Sequence, residues 1–172
     1  NTDGTFDNSF GNNGVLVTSL VSGNDMAQDV IVDAEGKILI AGTAANTDFN
    51  VAPMLARFNS DGSPDNTFGT NGFVQMPVEA MDNEFTSVCL QNDGKILASG
   101  HYSTVSWLYR TLLARYNADG SADATFADNG VSMLDVNGID DEFFGMEINS
   151  KGEIIAGGFS NHSNTNFDML LM

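Results

Sequence analysis

Between residues 73 and 116, short apolar runs alternate with polar turn signals at the period of extended strands. Phe73-Val74-Gln75-Met76-Pro77-Val78, Phe85-Thr86-Ser87-Val88-Cys89-Leu90, Lys95-Ile96-Leu97-Ala98-Ser99-Gly100 and Thr111-Leu112-Leu113-Ala114-Arg115-Tyr116 are four such runs. Their length and their β-branched and aromatic content predict four strands joined up and down, with no helix anywhere. The tightest connection is Asn92-Asp93-Gly94, which reads as a two-residue hairpin because Asn and Asp tolerate left-handed backbone and Gly adopts it freely. Ala34-Glu35-Gly36 and Ser150-Lys151-Gly152 are its counterparts.

The whole pattern returns after 58 residues, and then again after 58. Asn-x-Asp-Gly stands at Asn1 to Gly4, Asn59 to Gly62 and Asn117 to Gly120. The same offset links Asp7, Asp65 and Asp123; Phe10, Phe68 and Phe126; and Gly42, Gly100 and Gly158, with no gap in any copy. Repetition in strict phase means that each unit packs against its neighbours in the same way. The expected fold is therefore all-β: a β-propeller of four-stranded antiparallel blades, with repeats 1–58, 59–116 and 117–172 forming a single segment over 1–172. Three blades cannot close a ring, since propellers hold about four to eight. Leu171-Met172 falls where the other copies continue into Arg and an aromatic. The expectation is a segment of a longer repeat protein, or one that a symmetry mate completes.

Asn59-Ser60-Asp61-Gly62-Ser63-Pro64-Asp65-Asn66-Thr67-Phe68-Gly69, Gln91-Asn92-Asp93-Gly94-Lys95-Ile96-Leu97-Ala98-Ser99-Gly100 and Leu113-Ala114-Arg115-Tyr116-Asn117 together resemble the delta-60 repeat family. The resemblance spans essentially the whole chain. It implies a β-propeller in large bacterial proteins, secreted or attached to the surface, with no established activity. The third copy departs from the pattern at Ala127, where Gly follows the phased Phe elsewhere, and at Glu153, where Lys37 and Lys95 stand.

Charge narrows the partners. The chain carries 6 Lys+Arg against 23 Asp+Glu, a formal net charge of −17 over 172 residues. Such a surface repels phosphate backbones and anionic headgroups, so no nucleic-acid partner is expected. No apolar run reaches the roughly 18 to 20 residues that span a bilayer, so no membrane insertion is expected either. The 42% hydrophobic content is enough for a core. Cys89 is the single cysteine, which excludes an internal disulfide framework.

The phased side chains read as structure. A large apolar ring recurring once per unit belongs between blades, so Phe10, Phe68 and Phe126 are expected in the core rather than as ligand-stacking aromatics. Arg57 and Arg115 precede Asp65 and Asp123 by eight positions and are expected to tie a strand to the turn after it. Asn59, Asp61 and Asp65 offer oxygens at a spacing reminiscent of a calcium loop. However, position 57 is Arg where a leading Asp would fall, and the competing reading is that these groups bond their own turn backbone. No cofactor other than calcium is suggested. Catalysis has no candidate: His101 and His162 lie at different phases, no Gly-x-Ser-x-Gly elbow occurs, and Cys89 sits in an apolar run.

The phased links emerge on one face of such blades and the divergent ones on the other. The divergent face holds Asp82, Glu84, Asp140, Asp141 and Glu142, together with His101, Tyr102, Trp107 and Tyr109. Rings beside carboxylates stack on sugars or anchor protein partners, and the alternative is that they pack at blade edges. The expected function is a noncatalytic extracellular scaffold or adhesion module, a repeat segment of a bacterial cell-surface protein with a protein or glycan ligand. The alternative is a carbohydrate-binding or carbohydrate-active propeller whose catalytic residues lie outside this segment.

Overall fold

The computed structural model describes residues 1–45, 51–77, 82–103, 108–136, 139–163 and 166–172. Among them all regular structure is strand, and it forms three antiparallel sheets. The first holds β1 (Asp25–Val32), β2 (Ile38–Ala45), β3 (Val51–Phe58) and β4 (Phe73–Gln75) in that order. The second repeats it with β5 (Asn83–Leu90), β6 (Ile96–Ser103), β7 (Tyr109–Tyr116) and β8 (Val131–Leu134). The third has β9 (Asp140–Ile148), β10 (Ile154–Ser163) and β11 (Asn166–Leu171). The sheets do not close on one another.

The sheets are one strand out of step with the sequence units. Phe73–Gln75 opens the second 58-residue copy but pairs with β3 of the first sheet, Ala56 opposite Phe73 and Leu55 opposite Val74. The cause is the Asn-x-Asp-Gly segment, which folds back on itself instead of crossing to the next sheet. Asn59 N–H bonds to Ser63 O, Asp65 N–H to Arg57 O, and Arg57 N–H to Gly72 O, at 2.8 to 2.9 Å. The tight left-handed hairpin lies here too, at Asn71-Gly72 (φ +54° and +85°), closed by Thr70 and Phe73 bonding in both directions. At Asn92-Asp93-Gly94, by contrast, only Gly94 is left-handed (φ +82°), and the loop has three residues. Gly94 N–H bonds to Gln91 O and Gln91 N–H to Lys95 O, so the turn reverses with one glycine rather than two left-handed residues.

The main core lies between the first two sheets. Alternation along β2 sends Leu39 and Ala41 inward with Leu55 and Phe68, to meet Phe85, Val88, Ile96, Ala98, Leu112, Ala114 and Tyr116. Ile38, Ile40, Met54 and Phe58 point the other way, where Leu16, Leu20 and Val21 partly cover them.

One bulge recurs in each first strand. Register slips between Ala27 and Asp29, between Phe85 and Ser87, and opposite Gly157 and Gly158, leaving Gln28, Thr86 and Phe144 unpaired. The bulged backbone presses on the second strand, so that a Cβ at Gly42, Gly100 or Gly158 would overlap the carbonyl oxygen of Met26, Glu84 or Glu142. This is the requirement behind that phased glycine. Bulge residues also link the sheets: Thr86 Oγ1 donates to Phe143 O at 2.6 Å, and Ser87 Oγ and Val88 N–H donate to Asp29 at 3.1 and 2.8 Å.

A second joint sits at the opposite end. Gly69 N–H donates to Asp119 O and Gly11 N–H to Asp61 O, both at 2.8 Å. Gly120 packs so closely on the Phe68 ring that a Cβ would lie 2.9 Å from it, and Gly62 packs on Phe10 in the same way. Arg57 stacks 4.7 Å over the Phe68 centroid, donates to Ala118 O at 2.6 Å and holds Asp65 at 2.7 Å. Lys37 meets the same Asp65 oxygen at 2.7 Å, a partner that spacing alone did not suggest. Arg115, Lys95, Asp123 and Phe126 repeat the arrangement. Burial would raise the Asp65 carboxyl, but Lys37, Thr67 and Arg57 hold it well below the usual carboxylate range. Phe68 is fully buried, whereas Phe10 and Phe126 are only partly so.

Two substitutions separate these constraints. Gly100→Ala should cost about 3 kcal/mol or more because the bulge has to move, whereas Gly94→Ala, with open space around its Cβ, should cost about 1 kcal/mol of backbone strain. Asp65→Asn should cost about 3 kcal/mol, since two partly buried cations lose their counter-charge. Urea unfolding of the variants checks both, and equal losses at Gly94 and Gly100 would refute the bulge argument.

Candidate functional site

The described part of the divergent end lies where β5, β6, β7 and β9 meet. Strand alternation decides which side chains arrive there. In β6, His101 and Ser103 point to one side and Tyr102 to the other, so Tyr102 packs against the main core and not with the cluster. Asp141 is also withdrawn: fully buried, it accepts Ser160 Oγ at 2.5 Å and Val136 N–H at 3.2 Å and so fixes the entry to β9. Trp107 lies outside the described residues.

What remains is compact. Tyr109 Oη donates to Asp82 Oδ2 at 2.7 Å, and Tyr109 N–H donates to Asp140 Oδ1 at 3.1 Å. The His101 ring stands edge-on to Tyr109, with centroids 5.0 Å apart at 81°. His101 Nδ1 lies 3.5 Å from Glu142 Oε2. Asp82 and Glu84 line a cleft of about 230 Å³ with Asn24, Met26, Thr43 and Val51. Arg110, which the sequence pattern did not single out, borders the group by pairing with Asp135 at 3.2 Å and donating to Ile139 O at 3.0 Å.

Burial dominates the electrostatics. Burial pushes the Glu142 carboxyl up to about 7, and Asp140, Glu84 and Asp82 add to it as like charges. Burial also raises Glu84, opposed by Gln28 and assisted by Asp82. His101 is lowered by burial, so its imidazole is neutral at pH 7, and Tyr109 is pushed up to about 12, chiefly by its hydrogen bond to Asp82. Carboxyl groups are concentrated here with little basic compensation, and part of their charge is lost to protonation. No group of three or more His, Cys, Asp or Glu among the described residues is arranged to hold a metal ion.

The calcium candidates lie at the other end and are already engaged. Asp61 Oδ1 accepts the N–H and Oγ of Ser63 at 2.8 and 2.6 Å, and Asn59 Nδ2 donates to Ser63 Oγ at 3.0 Å. Asp65 is occupied by Thr67, Lys37 and Arg57. The oxygens serve the turn and the joint. Cys89 is half-buried, and its thiol is pushed up to about 11 by burial and by Glu147 and Asp29.

The sign of the Glu142 effect is testable. Its folded pKa exceeds the ordinary glutamate value of about 4.5, so the protonated form stabilises the fold below pH 4.5 and that contribution is lost as pH rises to about 7. Glu142→Gln should therefore stabilise the protein at pH 8 by on the order of 1–2 kcal/mol and leave it unchanged near pH 4. Thermal melts across that range check this, and a variant less stable than the parent at pH 8 would contradict it.

Residues 34–68 and 91–126 match the family described as domain of unknown function (DUF5122) beta-propeller. Each matched stretch runs from the hairpin glycine region to the phased Phe of the joint. No curated protein and no solved structure matches the chain. On those two stretches the chain is similar to the DUF5122 beta-propeller family, which is of the delta-60 repeat type.

Proposed function

We propose that the three sheets are consecutive blades of a bacterial β-propeller that acts as a noncatalytic binding module of a secreted or cell-surface protein. In this reading each blade takes its first three strands from one 58-residue repeat and its last from the next, and the divergent end is the recognition surface. The observation that carries it is the concentration of Asp82, Glu84, Asp140 and Glu142 beside Tyr109 and His101, with two of the carboxyls raised by burial and further by neighbouring carboxylates. Carboxylates that raise one another are relieved by a cationic ligand, and aromatic edges beside them give it an apolar contact. The ligand is a protein segment bearing Lys or Arg. Arg57, Arg115, Lys37 and Lys95 do not compete for this role, because they neutralise Asp65 and Asp123 at the far end.

A carbohydrate ligand is the second reading, favoured by the Tyr109 and His101 rings that border the carboxylates. Binding of a fluorescent Lys- and Arg-rich peptide, measured beside a glycan array, separates the two. The expected result is peptide binding that weakens at least tenfold in Glu84→Gln/Glu142→Gln and falls with added salt. Glycan binding lost in Tyr109→Ala would favour the second reading, and silence in both assays would remove the divergent end as a binding surface.

A further inference from the structure

We infer that the cleft beside Asp82 and Glu84, between the first and second sheets, is the seat of a single lysine side chain of the bound segment. The inference rests on the divergent end being the surface that takes a cationic segment. It adds where one residue of that segment enters and which residue it is.

The repeat shows how the cleft arises. Positions 24, 26, 43 and 51 recur 58 residues later as 82, 84, 101 and 109, and the first two recur again as 140 and 142. At the junction of the second and third sheets, Glu142 reaches back to His101 at 3.5 Å, and Tyr109 stands edge-on to that ring while its N–H bonds Asp140 at 3.1 Å. At the junction of the first and second sheets, Glu84 and Asp82 take the places of Glu142 and Asp140, and Thr43 and Val51 take those of His101 and Tyr109. The same frame is therefore short of two rings. The space they would fill is the cleft of about 230 Å³, with Asn24, Thr43, Val51, Asp82 and Glu84 on its wall. Asn83 Nδ2 donates to Val51 O at 3.2 Å across this junction, which fixes the two sheets beside the opening.

The chemistry of the wall selects the occupant. Oxygen-bearing side chains come from both sheets, Asn24 and Thr43 from the first and Asp82 and Glu84 from the second, and none of the described residues on the wall is basic. Glu84 Oε1 is buried and accepts no hydrogen bond, an unmet acceptor that costs stability until a donor reaches it. Burial raises the Glu84 carboxyl and Asp82 adds to the rise, so a positive group arriving beside them restores the charged form. An ammonium suits this wall better than a guanidinium. It is a compact charge whose three donors point apart, whereas the planar fork of Arg calls for one carboxylate presented with both oxygens. Neither carboxylate offers that pair: Asp82 Oδ2 already accepts Tyr109 Oη at 2.7 Å, and Glu84 is already bonded by Gln28. Ala45 and Val51 supply aliphatic surface for the methylene stem of a lysine.

Fluorescence anisotropy with N-terminally acetylated peptides that carry a single Lys tests the seat. The Lys peptide should bind at least fivefold more tightly than its Arg counterpart, and Nε-acetylation of the Lys should weaken binding at least tenfold. Thr43→His/Val51→Tyr rebuilds the second junction at the first and removes no carboxylate, and it should weaken the Lys peptide at least tenfold. Val51→Met narrows the cleft with less disturbance to folding and should weaken the same peptide at least threefold. Equal binding of the Lys and Arg peptides, or undiminished binding in a folded Val51→Met protein, overturns the lysine seat. So does free butylamine that binds as tightly as the Lys peptide, which would assign the cleft to a small amine instead of a protein segment. Peptide binding that is lost in Glu84→Gln/Glu142→Gln but untouched by filling the cleft removes this seat and leaves the cationic-segment reading standing, whereas absence of all peptide binding removes both.

Discussion

Two phased carboxylates, Asp65 and Asp123, hold the architecture together. Asp65 and Asp123 are almost fully buried, and each accepts a Lys from just before the second strand, an Arg from the third and a Thr from its own turn. Without those cations a buried carboxylate would be untenable, and without the carboxylate two partly buried cations would face one another. The Arg then extends the constraint to the next repeat, because its guanidinium lies flat on the phased Phe and, at Arg57, donates to Ala118 O. The sheets are therefore set in place by a charged joint at one end, while the apolar core between them supplies area rather than geometry.

The bulge in the first strand complements this at mid-sheet. By leaving Gln28, Thr86 and Phe144 unpaired it increases local twist and frees Thr86 to bond across to Phe143 O. Glycine opposite the bulge is the condition for that approach, since the carbonyl of the bulged strand occupies the space of a Cβ. Joint and bulge together fix how one sheet sits on the next, and Glu84 and Glu142 of the divergent end enter the bulge through their backbone carbonyls.

That division has an electrostatic consequence. Four of the six basic residues are held in the joints, so the carboxylates at the far end keep little counter-charge of their own. Arg110 answers Asp135 at the border, and His101 is neutral because it is buried. A surface assembled in this way is free to differ from repeat to repeat, because its residues carry no packing duty shared by every sheet. The Glu84 and Glu142 carboxyls are raised there chiefly by burial, with neighbouring carboxylates adding to the shift.

The sequence by itself determined the strands, the all-β class, the Arg–Asp pairing and the buried Phe68, because each is written in local periodicity or in a strict 58-residue phase. It also placed Asp82, Glu84, Asp140 and Glu142 at a common end, since up-and-down connectivity sorts loops by parity. Only the tertiary structure decided sheet membership: Phe73–Gln75 joins the preceding sheet through turn hydrogen bonds that no composition reveals. Lys37 joins Asp65 from 28 residues away, a contact set by the packing of two strands. The same holds for Tyr102 and Asp141, which share the divergent segments but turn inward, because strand alternation and a buried loop contact outweigh their position in the chain. Phased glycines were visible as a pattern, but their cause, a carbonyl oxygen pressed forward by a bulge on the neighbouring strand, exists only once the two strands are paired.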